Sequence, residues 1–243
     1  MRMLVTRPEP DCQATLERLA ALQIAGIPAP LMTRQTLPAH LPALEGFAAV
    51  AVTSANALRA LADLGAIAAL RGLPLFAVGD RTGHEARSMG FTEVVVADNT
   101  FESLATAIAL AAPGGPVLYP AGRHLSGDLA HALAPRGIMV VTVPVYEMVA
   151  ESALSDQARA ALNGGGVEAV LLYSRRTAEI FCQLAGDIVP RSRRRALAML
   201  CLSEAVAEPL LGAHFSRVSL ADHPSEEAMM ALALTFARAQ TGP

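Results

Sequence analysis

Short apolar, β-branched runs alternate along this chain with segments whose apolar residues recur every three or four positions. The first pattern fits a strand buried on both faces, the second a helix buried on one. The runs predict strands at Met3–Thr6, Gly26–Leu31, Ala48–Thr53, Leu75–Val78, Glu93–Val96, Val117–Tyr119, Met139–Val143, Ala169–Tyr173, Ala198–Leu202 and Arg217–Leu220. Helical spacing predicts Asp11–Leu22, with Leu16, Leu19 and Leu22 on one side. It also predicts Asn56–Leu64, Thr82–Met89, Phe101–Ala111, Ser126–Leu133, Ser155–Leu162, Arg176–Leu184, Glu204–Leu211 and Ser225–Arg238. Strands alternating with helices imply an α/β fold with parallel sheets.

The order of elements occurs twice, over residues 1–112 and 116–239. Met3–Leu4–Val5–Thr6–Arg7–Pro8 opens the first pass and Val117–Leu118–Tyr119–Pro120–Ala121–Gly122–Arg123 the second. Phe47–Ser54 is answered by Val167–Ser174, and Phe76–Gly79 by Ala198–Cys201. Ala97–Ser103 is answered by Ala221–Glu227, and Pro113–Gly114–Gly115–Pro116 breaks the pattern between the passes. Two similar doubly wound domains follow from this duplication, and a cleft between domains is a favoured ligand site. Their chain composition is open. They lie in series, or the polar, extended stretches 33–37 and 144–150 are crossings. The domains are then 1–34 plus 151–243, and 38–143. Periodicity does not choose.

Composition narrows the function. A chain of 243 residues, 53% of them hydrophobic, suffices for two cores. No apolar run approaches the roughly 18 residues that span a bilayer, and the opening residues lack the shape of a signal peptide. Cys12, Cys182 and Cys201 show neither metal nor redox spacing. These features predict a soluble cytoplasmic protein with reduced thiols and no membrane partner. A net charge of −3, three tyrosines and no tryptophan argue against nucleic acid. All 19 basic residues are arginine. That excludes a Schiff-base lysine, hence ordinary pyridoxal phosphate chemistry or a class I aldolase, and a P-loop lysine. The tail Gln240–Pro243 is expected to fray.

No hydrolytic or metal motif is present. What recurs is a hydroxyl residue or glycine where a strand ends and a helix begins: Thr6, Thr53–Ser54, Gly79–Thr82, Ser174 and Ser203. Ligands of open α/β sheets bind at that edge, where helix starts attract anions. Arg7, Arg81, Arg123, Arg175 and Arg176 fall at the same edge, which suits a ligand with several carboxylates or phosphates. Plainer roles compete. Ser54 and Ser174 are helix caps, each contributing about 1 kcal/mol. Gly79 turns the chain, and single arginines are solvated helix ends. Arg191–Ser192–Arg193–Arg194–Arg195 reads as a solvated turn, and the six histidines are isolated. Tyr146 lies in the second polar stretch, where it either packs with its hydroxyl on backbone or donates a proton to a leaving group.

Several of these segments together resemble the uroporphyrinogen-III synthase family: Val5–Thr6–Arg7–Pro8, Thr53–Ser54–Ala55–Asn56–Ala57, Ala77–Val78–Gly79–Asp80–Arg81–Thr82, Leu118–Tyr119–Pro120–Ala121–Gly122, Val145–Tyr146, Tyr173–Ser174 and Pro224–Ser225–Glu226. Each is short, but their order spans nearly the whole chain. The resemblance implies the crossed layout, with two α/β domains joined by a two-stranded linker and the substrate between them. It implies a monomer without metal or organic cofactor, in transient contact with hydroxymethylbilane synthase. The implied reaction closes hydroxymethylbilane, a linear tetrapyrrole polycarboxylate, to uroporphyrinogen III, with loss of water and inversion of ring D. The resemblance makes Tyr146 the candidate acid. Binding falls to Thr6, Arg7, Thr53, Ser54, Gly79, Thr82, Gly122, Arg123, Ser174 and Ser203. The family pattern Gly-x-x-Thr-Ala reads Cys201–Leu202–Ser203–Glu204–Ala205 here, and a carboxylate at Glu204 repels a propionate unless turned away. The alternatives are a non-catalytic two-domain binding protein for a small polyanion, a diverged paralogue without synthase activity, and a nucleotide-sugar transferase.

Overall fold

The computed structural model describes residues 1–125 and 127–241. In chain order the elements are β1 (Arg2–Val5), α1 (Asp11–Ala21), β2 (Ala25–Pro28), β3 (Met32–Thr36), β4 (Ala49–Val52), α2 (Ala55–Asp63), α3 (Ile67–Leu70) and β5 (Leu75–Ala77). There follow α4 (Asp80–Ser88), β6 (Val94–Val96), α5 (Phe101–Ala111), β7 (Val117–Gly122), α6 (Leu129–Leu133), a 3-10 turn at Ala134–Arg136 and β8 (Val140–Ala150). The chain ends with α7 (Asp156–Asn163), β9 (Ala169–Leu172), α8 (Arg175–Ala185), α9 (Arg191–Arg194), β10 (Ala198–Cys201), α10 (Glu204–Gly212), β11 (Val218–Leu220) and α11 (Glu226–Thr241). Internal contacts divide the chain into one unit of Met1–Thr33 with Val149 onward, and a second of Arg34–Met148.

The first unit is built on a sheet in the order β11-β10-β9-β1-β2, parallel throughout. Successive residues of a strand point to opposite faces, and in its central strands both sets are covered. Met3, Val5, Ala169, Leu171, Ala198 and Leu200 pack with Cys12 and Leu19 of α1 and Met229, Met230, Ala233 and Phe236 of α11. The intervening Leu4, Val170, Leu172, Met199 and Cys201 are also buried.

The second unit carries a sheet in the order β3-β8-β7-β4-β5-β6, parallel from β8 to β6. One face packs Val50, Val52, Leu75, Ala77, Leu118 and Val145 with α2 and Ala86 of α4. The other packs Ala49, Ala51, Phe76, Val117, Tyr119 and Ala121 with Leu104 and Ile108 of α5 and Leu129 and Leu133 of α6.

The order β2-β1-β9-β10-β11 in the first sheet corresponds to β8-β7-β4-β5-β6 in the second: the segments that repeat along the chain hold the same place in each sheet. Strand order reverses between β1 and β9 in one and between β4 and β7 in the other. In doubly wound sheets such reversals, at the carboxyl ends of the strands, are where ligands bind.

The two extended polar stretches pair with each other as strands, and two other sequence expectations change. The stretch 144–150 is no separate segment: β8 runs unbroken through Pro144, which is exposed beside a register shift that spares its missing N–H. The polar stretch 33–37 forms β3, a short edge strand. Leu37 N–H donates to Val145 O at 2.9 Å and Glu151 N–H to Leu31 O at 3.0 Å, so β3 and β8 run antiparallel. The helix placed at Ser126–Leu133 begins at Leu129, capped by Asp128; Ser126 lies outside the described residues, as do Gly242 and Pro243 of the tail. The run Arg191–Arg195 contains the short helix α9 and one built-in arginine. Arg194 donates Nε to Val189 O at 2.9 Å, Nη1 to Ala213 O at 3.0 Å and Nη2 to Gly186 O.

Candidate active site

At the β4–β7 reversal, β4 ends at Thr53 and Ser54, which engage two tyrosines. Thr53 Oγ1 lies 3.1 Å from the hydroxyl of Tyr119, a fully buried residue of β7. Ser54 is the extended cap of α2, its Oγ accepting the Asn56 N–H at 3.2 Å, and it lies close to the Tyr146 phenol. Burial pushes the phenol of Tyr146 above its ordinary value, against smaller opposing effects of Ser54 and the positive Arg34. Tyr119 is raised as well, first by burial and then by the neighbouring Tyr146, with Thr53 opposing. Both rings therefore stay protonated through the neutral range. Tyr146 is only half-buried, as a donor to a ligand must be.

The surrounding candidates fall into place by backbone. Gly122 lies opposite Tyr146 in the β7–β8 register, and Arg123 N–H donates to Tyr146 O at 2.8 Å. The exposed Arg123 side chain pairs with Glu147 at 2.9 Å. Gly79 caps α4 in an extended conformation, and a β-carbon there would collide with the side chain of Asn99. The backbone there is extended and not left-handed, so a larger residue would need only the Asn99 side chain to move aside. Thr82 sits inside α4, which starts at Asp80, and is buried.

The corresponding reversal in the first unit, between β1 and β9, is occupied internally. Thr6 is fully buried and donates to Leu171 O at 2.6 Å. Arg7 pairs with Glu226 from the first turn of α11, lies 3.6 Å from Asp11, and stacks over Tyr173 at 4.4 Å from the ring centre. The Glu226 carboxylate also accepts from Thr15 at 3.1 Å and from the Tyr173 hydroxyl at 3.3 Å. Burial, then the charge of Glu226, raises the Tyr173 phenol. Thr6 and Arg7, expected to touch ligand, therefore hold β1, β9, α1 and α11 together. Ser174 caps α8, accepting the Thr177 N–H at 3.1 Å. Ser203 stands at the start of α10 without a side-chain cap bond, next to the exposed Glu204.

The arginines expected to line a polyanion site are mostly committed to carboxylates of the chain, Arg175 to Glu179 and Glu208 among them. Sequence reasoning missed Tyr119 as a partner of Thr53. The available signal was a tyrosine in an otherwise aliphatic strand that ends where the repeat places its reversal.

The thiols are inert by environment. Burial raises Cys12 and Cys182 from 9.0 to about 11, and Cys201 from 9.0 to about 12. At pH 8 the folded protein should alkylate about 100-fold more slowly than the urea-unfolded chain. The folded state holds these protons longer than the unfolded one, so stability is full below pH 9 and falls as pH rises through 11–12. Urea midpoints at about pH 8 and about pH 10.5 check this; equal midpoints would contradict it. Among the described residues no three His, Cys, Asp or Glu side chains gather to hold a metal ion, and no helix is long and apolar enough to cross a membrane.

Two doubly wound sheets of matching strand order, with helix starts and hydroxyls at their reversals, define a two-unit α/β protein. The profile of uroporphyrinogen-III synthase HemD matches residues 13–231, and the chain belongs to that family, which serves tetrapyrrole biosynthesis. Uroporphyrinogen-III synthetase from Helicobacter pylori is 18% identical, with a TM-score of 0.66 over 97% of this chain and 100% of that one. A mutant uroporphyrinogen III synthase from the extremely thermophilic bacterium Thermus thermophilus is 15% identical, with a TM-score of 0.55 over 99% of each chain. These likenesses concern the fold. No curated protein matches the chain.

Proposed function

We propose that this chain itself closes hydroxymethylbilane to uroporphyrinogen III, with Tyr146 as proton donor. The observation that supports this most is the Tyr146 phenol: half-buried, kept protonated by its surroundings, and lying over Gly122 near Ser54 at the strand-order reversal of the second sheet. The substrate's hydroxyl departs as water and needs a proton to do so. Loss of water leaves an electrophilic azafulvene, which ring D attacks through its substituted carbon. The resulting spiro intermediate fragments and recloses with the ring reversed. Uncatalysed closure gives the non-inverted isomer, so the protein chiefly imposes geometry, and orientation supplies several kcal/mol.

In this reading the substrate carboxylates meet the backbone N–H groups at the starts of α2, α4, α8 and α10, assisted by Thr53, Ser54, Gly79, Thr82, Gly122, Arg123, Ser174 and Ser203. Residues 33–37 and 144–150 are the crossings between domains 1–34 plus 151–243 and 38–143. The protein works as a cytoplasmic monomer without metal or organic cofactor. It takes its short-lived substrate in transient contact with hydroxymethylbilane synthase.

The test is a coupled assay in which freshly generated hydroxymethylbilane is added and the oxidised type I and type III products are separated. A dominant type III peak is expected. Type I alone from folded protein would favour a non-catalytic polyanion binder or a diverged paralogue. Tyr146→Phe should lower kcat about tenfold, or about 1.4 kcal/mol, because geometry carries most of the acceleration. Unchanged kcat would remove Tyr146 as the acid.

A further inference from the structure

We propose that Gly122 is a positioning residue for Tyr146: the side chain that β7 lacks there lets a phenol rooted in β8 lie across β7 and reach Ser54 at the end of β4. This rests on the reading of Tyr146 as proton donor.

The sheet order makes the demand. β7 lies between β8 and β4, so a ring from β8 that meets a residue at the end of β4 must cross β7. Neighbouring strands are roughly 4.8 Å apart, so the crossing spans about two spacings, and any side chain of β7 on that face stands in the way. The β7–β8 register is regular from Val117↔Val140 to Ala121↔Pro144, then shifts so that Gly122 faces Tyr146. The skipped residue, Val145, is buried in the core beneath, while Tyr146 comes to lie beside the glycine. A β-carbon at Gly122 would meet Tyr146 Cζ at 3.0 Å, its hydroxyl at 3.1 Å and Cε2 at 3.3 Å. The bare backbone of Gly122 is thus the floor on which the reactive end of the ring rests.

The glycine is needed for space alone. Gly122 is absent from the residues with left-handed φ, so alanine meets no backbone penalty there. Its methyl must instead push the ring tip by a few tenths of an ångström. Such a shift leaves the fold intact and degrades a geometry-dependent step.

Two readouts test this. The chain has three tyrosines, Tyr119, Tyr146 and Tyr173, and no tryptophan, so ring-labelled tyrosine gives three resolvable NMR environments. Gly122→Ala should shift the signal of Tyr146, identified by its loss in Tyr146→Phe, and leave that of Tyr173 in place. Ser54→Ala should move the same signal from the other end. A Tyr146 signal unmoved by either substitution would overturn the proposal, whatever the activity. In turnover, Gly122→Ala should lower kcat roughly tenfold with KM within about twofold, and add little in a Tyr146→Phe background. A raised KM with unchanged kcat, or full additivity, would make Gly122 a substrate contact or a general packing residue instead. If Tyr146→Phe proves fully active, the proton-donor reading fails, while the NMR shifts still decide whether Gly122 sets the ring.

Discussion

Arg194→Ala will destabilise the first unit by about 3 kcal/mol, whereas Arg191→Ala and Arg195→Ala will stay within about 0.5 kcal/mol. The reason lies in what the guanidinium touches. Gly186 closes α8 and Ala213 closes α10, and Arg194 donates to both of their carbonyls as well as to that of Val189. Helix ends leave carbonyls unpaired and concentrate partial negative charge, so one cation bonded to two such ends meets both needs. The planar fork, with its several donors, also lies over Phe215 at 5.5 Å from the ring centre. Alanine would strand three carbonyls at once, with about 1 kcal/mol lost for each, since the site keeps some access to water. Lysine would restore one bond of the three. Urea midpoints of the four variants measure the contrast; equal effects across the run would show that its charge alone matters.

Glu226→Ala is the second large loss, about 2–4 kcal/mol. The carboxylate is the meeting point of Arg7 from the end of β1, Thr15 from α1 and Tyr173 from the end of β9. Removing it leaves Arg7, whose side chain is 12% exposed, with the more distant Asp11 as its counter-charge. A shielded cation without its anion costs more than the pair gains when intact. Arg7→Ala should cost a similar amount and the double variant little more than either single one, because both changes remove one network. Additive losses would place Arg7 and Glu226 in separate roles. If Arg7 were instead a substrate contact, its loss would raise KM and leave the urea midpoint unmoved.

These two expectations mark where legibility in the sequence ends. Ala49–Val52, Ala169–Leu172 and Ala198–Cys201 are buried at every position, and their aliphatic runs say so directly, because a strand covered on both faces tolerates no polar residue. Ser54 and Ser174 read as caps and are caps, since a cap depends on the next three residues alone. The doubled order of elements reads as two similar sheets, and the strands take equivalent places in them. By contrast, Arg194 is chemically the same as Arg191 and Arg195. Its role comes from α10, whose end lies 19 positions further along the chain. Tyr119 and Thr53 are 66 positions apart, and Arg7 and Glu226 are 219 apart.

Fold class, strand cores, helix starts, the duplication and the family motifs follow from the residues in order, because each depends on periodicity or on neighbours a few positions away. Tertiary structure alone decided which hydroxyls and charges are paired within the fold, as at Thr6 and Arg7, and which groups from distant segments meet at a strand-order reversal, as Thr53 and Tyr119 do. It also decided that β8 runs straight through Pro144 and shifts register at Gly122, which sets this glycine opposite Tyr146. Hydrogen bonds and ion pairs are short-ranged in space and indifferent to separation along the chain, so their partners appear only once the strands have taken their places.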